Sequence, residues 1–317
     1  MAQPSFTVVM PTYNQGEFIE VAVQSVLGQQ GCEVALLVYD AVSTDGTAAV
    51  LERYRERLRW IREPDKGMVD AINRGLWAAD GEVLAWLNSD DAYLPGALAR
   101  VGQAFADDQA LDFVYGDALE MARDGEIFTP NQFTEDCVGE RYLHSHNFIC
   151  QPTMFFRRRV LEAVGPLRED LLWTMDYEWF ARFFLHGLKG RRLQCFIAAN
   201  RDYAVTKTNT GGGARYREMI GIHRLRPGRP LWLRRSFWIY SAEALIKRVN
   251  AWRDRLAART LLARGLNALS RIGGGLFLRL VSPRSRRDIV DRYLKEILPR
   301  GRNIRDQWAA ASRPEAR

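Results

Sequence analysis

The sequence predicts an α/β protein: a mostly parallel sheet flanked by helices, followed by a helical C-terminal extension. Three observations predict it. Short apolar runs alternate with segments of helical periodicity through the first hundred residues. The connections between them are short, which implies parallel strands with helices on the faces of the sheet. Beyond Gly211-Gly212-Gly213 the composition shifts, and Arg, Leu, Ala and Trp dominate.

Residues 6–10 form an apolar run ended by Pro11 and read as a buried strand. Residues 17–29 carry Ile19, Val23, Val26 and Leu27 at helical spacing, and residues 34–39 form a second apolar strand stopping at Asp40. Thr44, Asp45 and Gly46 offer capping chemistry for a helix reaching about Arg57. A third strand at 59–62, a helix at 69–78 and a fourth strand at 83–87 lead to Asn88-Ser89-Asp90-Asp91. A helix is expected at 95–105, strands at 113–115 and 154–156, and a helix at 173–185 with Asp176 in its first turn. Farther on, Trp238, Leu245, Val249, Trp252 and Leu256 mark an amphipathic helix interleaved with arginines. The predicted division is a domain at 1–221, with halves of about 1–110 and 111–221, and a basic extension at 222–317.

The net charge of +7 conceals an asymmetry: residues 222–317 hold 23 basic and 7 acidic residues, the remainder 22 and 31. An acidic body readily collects a divalent cation, whereas a basic tail suits an anionic surface. The tail has two readings, a helical appendage packed on the domain or an element docked on anionic lipid. Nucleic acid is not an expected partner, because no recognition motif accompanies the charge. The four cysteines (Cys32, Cys137, Cys150, Cys195) are scattered, which argues against a zinc site or a disulfide framework. The four histidines (His144, His146, His186, His223) lack metal-ligand spacing, and there is neither a P-loop nor a G-x-G-x-x-G turn. No stretch approaches the roughly 20 apolar residues of a membrane span, and the N-terminus lacks a signal-peptide pattern. A cytoplasmic protein is expected, peripheral to the inner face of the plasma membrane if the tail docks on lipid.

In sheets of this kind ligands bind outside the carboxyl ends of the strands. Asp40 and the Asp90/Asp91 pair fall at such ends and so share one edge. Hard oxygen donors there suit magnesium or manganese. Each also has a plainer reading: Asp90 and Asp91 as caps of the following helix, Asp40 as a turn residue, Asp176 as a charge complementing a helix dipole.

Longer stretches add a resemblance. MPTYNQGEFIEVAVQSVLGQ, YDAVSTDGT, EPDKGMVDAINRG and GEVLAWLNSDDAYLPGAL resemble the donor half of the inverting family 2 glycosyltransferases of GT-A fold. ICQPTMFFRRRVLEAVGPL and WTMDYEWFARF are similar to the acceptor half, so the blocks run in order from about Phe6 to Lys207. The resemblance implies transfer of a sugar, with inversion, from a nucleoside-diphosphate donor (a UDP-sugar favoured) to a glycan or lipid-linked acceptor. Bacterial surface polysaccharide or glycan assembly is the implied setting. It implies that Pro11, Tyr13 and Asp40 contact the nucleotide and that Asp70 lies near the donor. Asn88, Ser89 and Asp90 would meet the nucleotide sugar, with Asp90 at the divalent metal and diphosphate. Asp176 takes the place of the general base, and Asp117, Gln151 and Trp173 fall on the acceptor side. Three positions depart from the family pattern: Asn88 at the first D-x-D position, Met175 in place of the Glu of E-D, and Tyr203 where relatives often carry His. The Q-x-x-R-W motif of processive synthases is missing, which favours one sugar per binding event. These departures keep open an alternative, a non-catalytic nucleotide-sugar-binding or scaffolding protein on the same fold.

Overall fold

The computed structural model describes residues 3–131, 134–136, 147–203, 206, 210–222 and 283–311. The four apolar runs form strands β1 (Phe6–Thr12), β2 (Val34–Asp40), β3 (Arg59–Arg62) and β4 (Val83–Trp86). Between them lie helices α1 (Ile19–Leu27), α2 (Thr47–Glu52) and α3 (Met68–Ala78). The strands lie side by side in the order β3-β2-β1-β4, all parallel. Their pairing aligns Thr12 with Asp40 and Asp40 with Arg62, so three carboxyl ends finish level. Helices cover both faces, and the strands read as unbroken apolar runs for that reason. Val8 and Met10 of β1 enter the core under α1, while Val9 enters the core under α3.

The second half turns the sheet mixed. It comprises β5 (Ala92–Tyr93), α4 (Ala97–Asp107), β6 (Phe113–Met121), β7 (Ile127–Pro130), β8 (Phe155–Arg157), α5 (Arg158–Val164), α6 (Met175–Leu185), β9 (Gly190–Arg201) and α7 (Gly212–Ile222). β8 lies antiparallel between β4 and β6, β9 runs parallel to β6, and β5 and β7 add antiparallel partners. An aromatic cluster joins the halves: Trp179 of α6 meets Trp86 at 5.6 Å and stands edge-on to Phe156 at 4.9 Å. Offset and edge-on pairs of this kind add about 0.5–1.5 kcal/mol each beyond their burial. α2 ends at Glu52, short of its predicted limit. Gly212 and Gly213 open α7, and Met219 and Ile222 bury one face of that helix in the core.

The chain returns at α8 (Pro283–Arg292), passes through helical turns at Tyr293–Ile297 and Leu298–Arg300, and ends its described part in α9 (Ile304–Ala311). Ile289, Ile297 and Ile304 are buried against Leu119, Met121 and Phe196. Ile304 N–H donates to Gly125 O at 3.0 Å, and Trp308 Nε1 donates to Tyr93 O at 3.1 Å. Of the two readings of the tail, residues 283–311 follow the first and pack on the domain. The predicted helix bearing Trp238, Leu245, Val249, Trp252 and Leu256 lies outside the described residues, as do Cys137, His144, His146 and His223. No helix among the described residues is long and apolar enough to cross a membrane.

Candidate active site

The carboxyl ends of β1 and β2 carry two loops that are tied together. Asn14 N–H donates to Ser43 Oγ at 2.9 Å, and Thr44 N–H donates to Asn14 Oδ1 at 2.8 Å. Gln15 N–H reaches Thr47 Oγ1 and Gly16 N–H reaches Asp45 Oδ2, each at 2.9 Å. Asn14 and Val42 hold positive φ angles of 52° and 57°. That conformation is a genuine outlier for a β-branched residue, and strain of this sort persists where surrounding bonds over-determine it. The bonds orient Asp40, which is 1% exposed. Its Oδ1 accepts both Ser43 N–H at 2.9 Å and Ser43 Oγ at 2.5 Å. Its Oδ2 lies 3.4 Å from Arg62 Nε and has no hydrogen bond. An oriented carboxylate oxygen without a donor is equipped to take an N–H from a ligand. Beside it Pro11 and Thr12 are buried in β1, and Tyr13 stands 59% exposed.

The loop after β4 sorts its two carboxylates. Asp91 turns inward: Oδ1 accepts Arg201 N–H at 2.8 Å and Oδ2 accepts Asn88 Nδ2 at 3.4 Å. Burial, then the charge of Asp90, hold the Asp91 carboxyl well above the usual range. Asp90 is half-buried, and the Tyr203 hydroxyl donates to its Oδ2 at 3.4 Å. Burial raises its carboxyl too, opposed by the Arg201 charge and the Tyr203 hydroxyl. Burial and the Asp90 charge push the Tyr203 phenol up to about 12, so at neutral pH it is a hydrogen-bond donor. Asn88 Nδ2 also donates to Gln151 Oε1 at 3.2 Å, and Gln151 Nε2 to Trp86 O at 2.9 Å, while Asn88 Oδ1 is buried without a partner. Ser89 is buried in the same turn.

No group of three or more His, Cys, Asp or Glu among the described residues is placed to hold a metal. The donors that do face the loop fit a magnesium- or manganese-type ion held mainly by phosphates and water. They are one half-buried carboxylate, Asp90, and one orphaned amide oxygen, Asn88 Oδ1.

Asp176 lies in the first turn of α6, half-buried. Burial raises its carboxyl, opposed by the Tyr177 N–H, the Arg215 charge and the Asn147 amide, whose Nδ2 is 3.4 Å from Asp176 Oδ2. Burial, then the charges of Glu120, Asp91 and Asp176, hold the Cys150 thiol well above the usual value. Trp173 is half-exposed and Leu172 is 53% exposed at the same lip.

Two expected site residues are paired with arginines. Asp70, at the start of α3, accepts Lys66 N–H at 3.1 Å and lies 3.8 Å from Arg74. It opens onto a groove of about 1030 Å³ along α3 that includes Trp77, Arg168 and Tyr39, the chain neighbour of Asp40. Asp117 is fully buried: Oδ1 takes Arg192 Nη2 at 2.7 Å, and Oδ2 takes Arg292 of α8. Neither oxygen is left for an acceptor. Three contributors escaped the sequence reading. Arg201 is 5% exposed, donates to Asp90 O at 2.7 Å and stacks 4.7 Å from Phe18. Glu120, between Asn131 and Asn200, has its carboxyl pushed up by burial to about 7. Asn147 contacts the candidate base. Arg201 opens the block that carries Tyr203, whereas Glu120 and Asn147 have no local motif and depend on contacts distant in sequence.

A half-parallel, half-mixed sheet with its polar loops gathered on one edge is the GT-A architecture of nucleotide-sugar glycosyltransferases. Residues 7–165 match the profile "Glycosyl transferase family 2", and the chain belongs to that family. A "PGL/p-HBAD biosynthesis glycosyltransferase" of Mycobacterium bovis (strain BCG / Pasteur 1173P2) is 29% identical over 209 residues, 64% of this chain and 79% of the relative. The uncharacterized protein MT1568 of Mycobacterium tuberculosis (strain CDC 1551 / Oshkosh) is 30% identical over 228 residues, 65% of this chain and 70% of that one. Among solved structures, S. aureus TarS 1-349 in complex with UDP-GlcNAc superposes with a TM-score of 0.57 at 20% identity, covering 97% of this chain and 90% of that one. The mannosyltransferase PcManGT of Pyrobaculum calidifontis, in complex with GDP-Man and Mn2+, gives 0.56 at 19% identity, covering 94% and 88%. At these identities the two structures speak to the fold.

Proposed function

We propose that this glycosyltransferase moves a sugar, with inversion, from a nucleoside-diphosphate donor, a UDP-sugar by preference, to a hydroxyl of a glycan or lipid-linked acceptor. The reading is supported by three carboxylates, at the end of β2, in the loop after β4 and in the first turn of α6. A buried carboxylate oxygen without a hydrogen bond, ion-paired to Arg62, stands at Asp40, a half-buried carboxylate at Asp90, and a raised, half-buried one at Asp176. Asp40 Oδ2 accepts an N–H from the base, with Pro11 and Tyr13 flanking the nucleotide and Asp70 near the donor. Asp90, with Asn88 and Ser89, faces the diphosphate. A divalent ion bound there would neutralise charge developing on the leaving diphosphate.

Trp173, with Gln151 bonded to Asn88, orients the acceptor. Asp176 takes the proton of its hydroxyl as that oxygen bonds to the anomeric carbon and the bond to the diphosphate breaks. A single displacement of this kind inverts the anomeric configuration. The basic segment after Ile222 suits a peripheral position at the inner face of the plasma membrane. Surface polysaccharide or glycolipid assembly is a fitting setting.

A panel of UDP- and GDP-sugars, scored for nucleoside diphosphate release with manganese, magnesium or chelator, tests the reading. Turnover of at least one donor, lost on chelation, is expected. Binding without release across the panel would favour the scaffolding alternative that Asn88, Met175 and Tyr203 keep open. In the same assay Asp90→Ala is expected to abolish the enhancement of donor binding by metal, measured calorimetrically, while affinity for the free nucleoside changes less than twofold. Full retention of the metal effect would remove Asp90 from that role.

A further inference from the structure

We propose that Glu218, on α7, is a positioning residue for the general base, an assignment that rests on the transfer reading above. Thr174 is the N-cap of α6, yet it makes no capping bond to its own helix. Its hydroxyl donates instead to Glu218 Oε2 at 3.0 Å. The same oxygen accepts the N–H groups of Trp173 at 3.0 Å and Thr174 at 3.1 Å, and Oε1 accepts Leu172 N–H at 3.0 Å. Four donors from three consecutive residues therefore close on one carboxylate.

Hydrogen bonds to an ionised acceptor are roughly twice as strong as neutral ones, and an anion at a helix N-terminus is further favoured by the dipole. Asp176 follows two residues after Thr174, in the first turn, so its direction depends on where and at what angle that helix begins. Glu218 fixes both from a different element.

Two neighbours of Glu218 act on the same lip. The Trp173 indole lies against Gly211, whose added Cβ would stand 2.5 Å from Cδ1 and 2.8 Å from Nε1. Any side chain at 211 displaces the indole. Arg215, one turn before Glu218, supplies positive charge to Asp176. α7 is in turn seated by Met219 and Ile222, each 3% exposed. One short segment thus sets the indole, the local charge and the backbone of the acceptor-facing lip. A displacement of about 1 Å in such a constellation can cost on the order of 10²-fold in rate.

The test compares wild type, Glu218→Gln and Glu218→Ala by three measurements: hydrogen–deuterium exchange over residues 170–178, UDP affinity by calorimetry, and donor turnover. Amides 172–174 are expected to exchange at least tenfold faster in Glu218→Ala, with UDP affinity within twofold and kcat down at least tenfold. Glu218→Gln keeps the size and one acceptor oxygen, so a smaller loss of the same kind is expected. It carries the test if the alanine variant fails to fold. Unchanged exchange in both variants overturns the clamp. Faster exchange with kcat retained overturns its link to the base and leaves the transfer reading standing. Wild-type protein that binds UDP but turns over no donor overturns the transfer reading and this assignment with it.

Discussion

Asp176→Asn is expected to lower kcat by about 10²–10⁴-fold, the range for loss of a general base, while donor affinity stays within twofold. The substitution keeps shape and an oxygen that can accept the Asn147 amide, so α6 should start as before. What is lost is the capacity to take a proton. The pH profile of wild type gives the matching signature. The base works when ionised, and burial raises its carboxyl above the ordinary aspartate value. Activity should therefore rise with pH through a limb displaced upward from about 3.9. Asn147→Leu removes a donor that favours the charged form and should move that limb further up, with little effect on its plateau. Normal transfer by Asp176→Asn would show that the base lies elsewhere.

Asp117→Ala is expected to destabilise the fold severely, by about 3–5 kcal/mol, because removing one partner leaves buried cations uncompensated. Arg192 and Arg292 have side chains 4% and 17% exposed. Against a total stability on the order of 5–15 kcal/mol, thermal denaturation should shift downward on the order of 10 °C. Arg292 belongs to α8, so limited proteolysis should also cut earlier within residues 283–311. Donor turnover per folded molecule should persist, because Asp117 touches neither end of the cleft. Full stability with impaired acceptor use would instead restore the acceptor-side role that the sequence resemblance implied.

The contrast between Asp117 and Asp90 shows how far sequence carries here. The parallel half was legible because strands covered on both faces must be apolar throughout, and β3 coincides with its predicted bounds. The edge position of Asp40 and of the Asn88–Asp91 turn followed from strand ends alone. β9 was not legible. It opens with Gly190, Arg191 and Arg192, a polar start that reads as a loop until the Arg192–Asp117 pair accounts for its burial. Strands β5 and β7 are too short to show alternation. Within the site, Asp90 and Asp91 are adjacent and alike in sequence, and only tertiary partners divide them. Arg201 N–H and Asn88 turn Asp91 inward, whereas Asp90 meets the Tyr203 hydroxyl. Glu218 stands in R-Y-R-E-M-I, where nothing local separates it from a solvated helix charge.

The central claim is single displacement at one cleft spanning Asp40, Asp90 and Asp176. Its most direct test needs no identified acceptor, since water can replace the acceptor hydroxyl in slow donor hydrolysis. Proton NMR of the sugar released from an α-linked UDP-sugar, recorded before mutarotation, reads the stereochemical course. The β-anomer should form first, and its formation should be suppressed in Asp176→Asn. Initial release of the α-anomer would contradict the account.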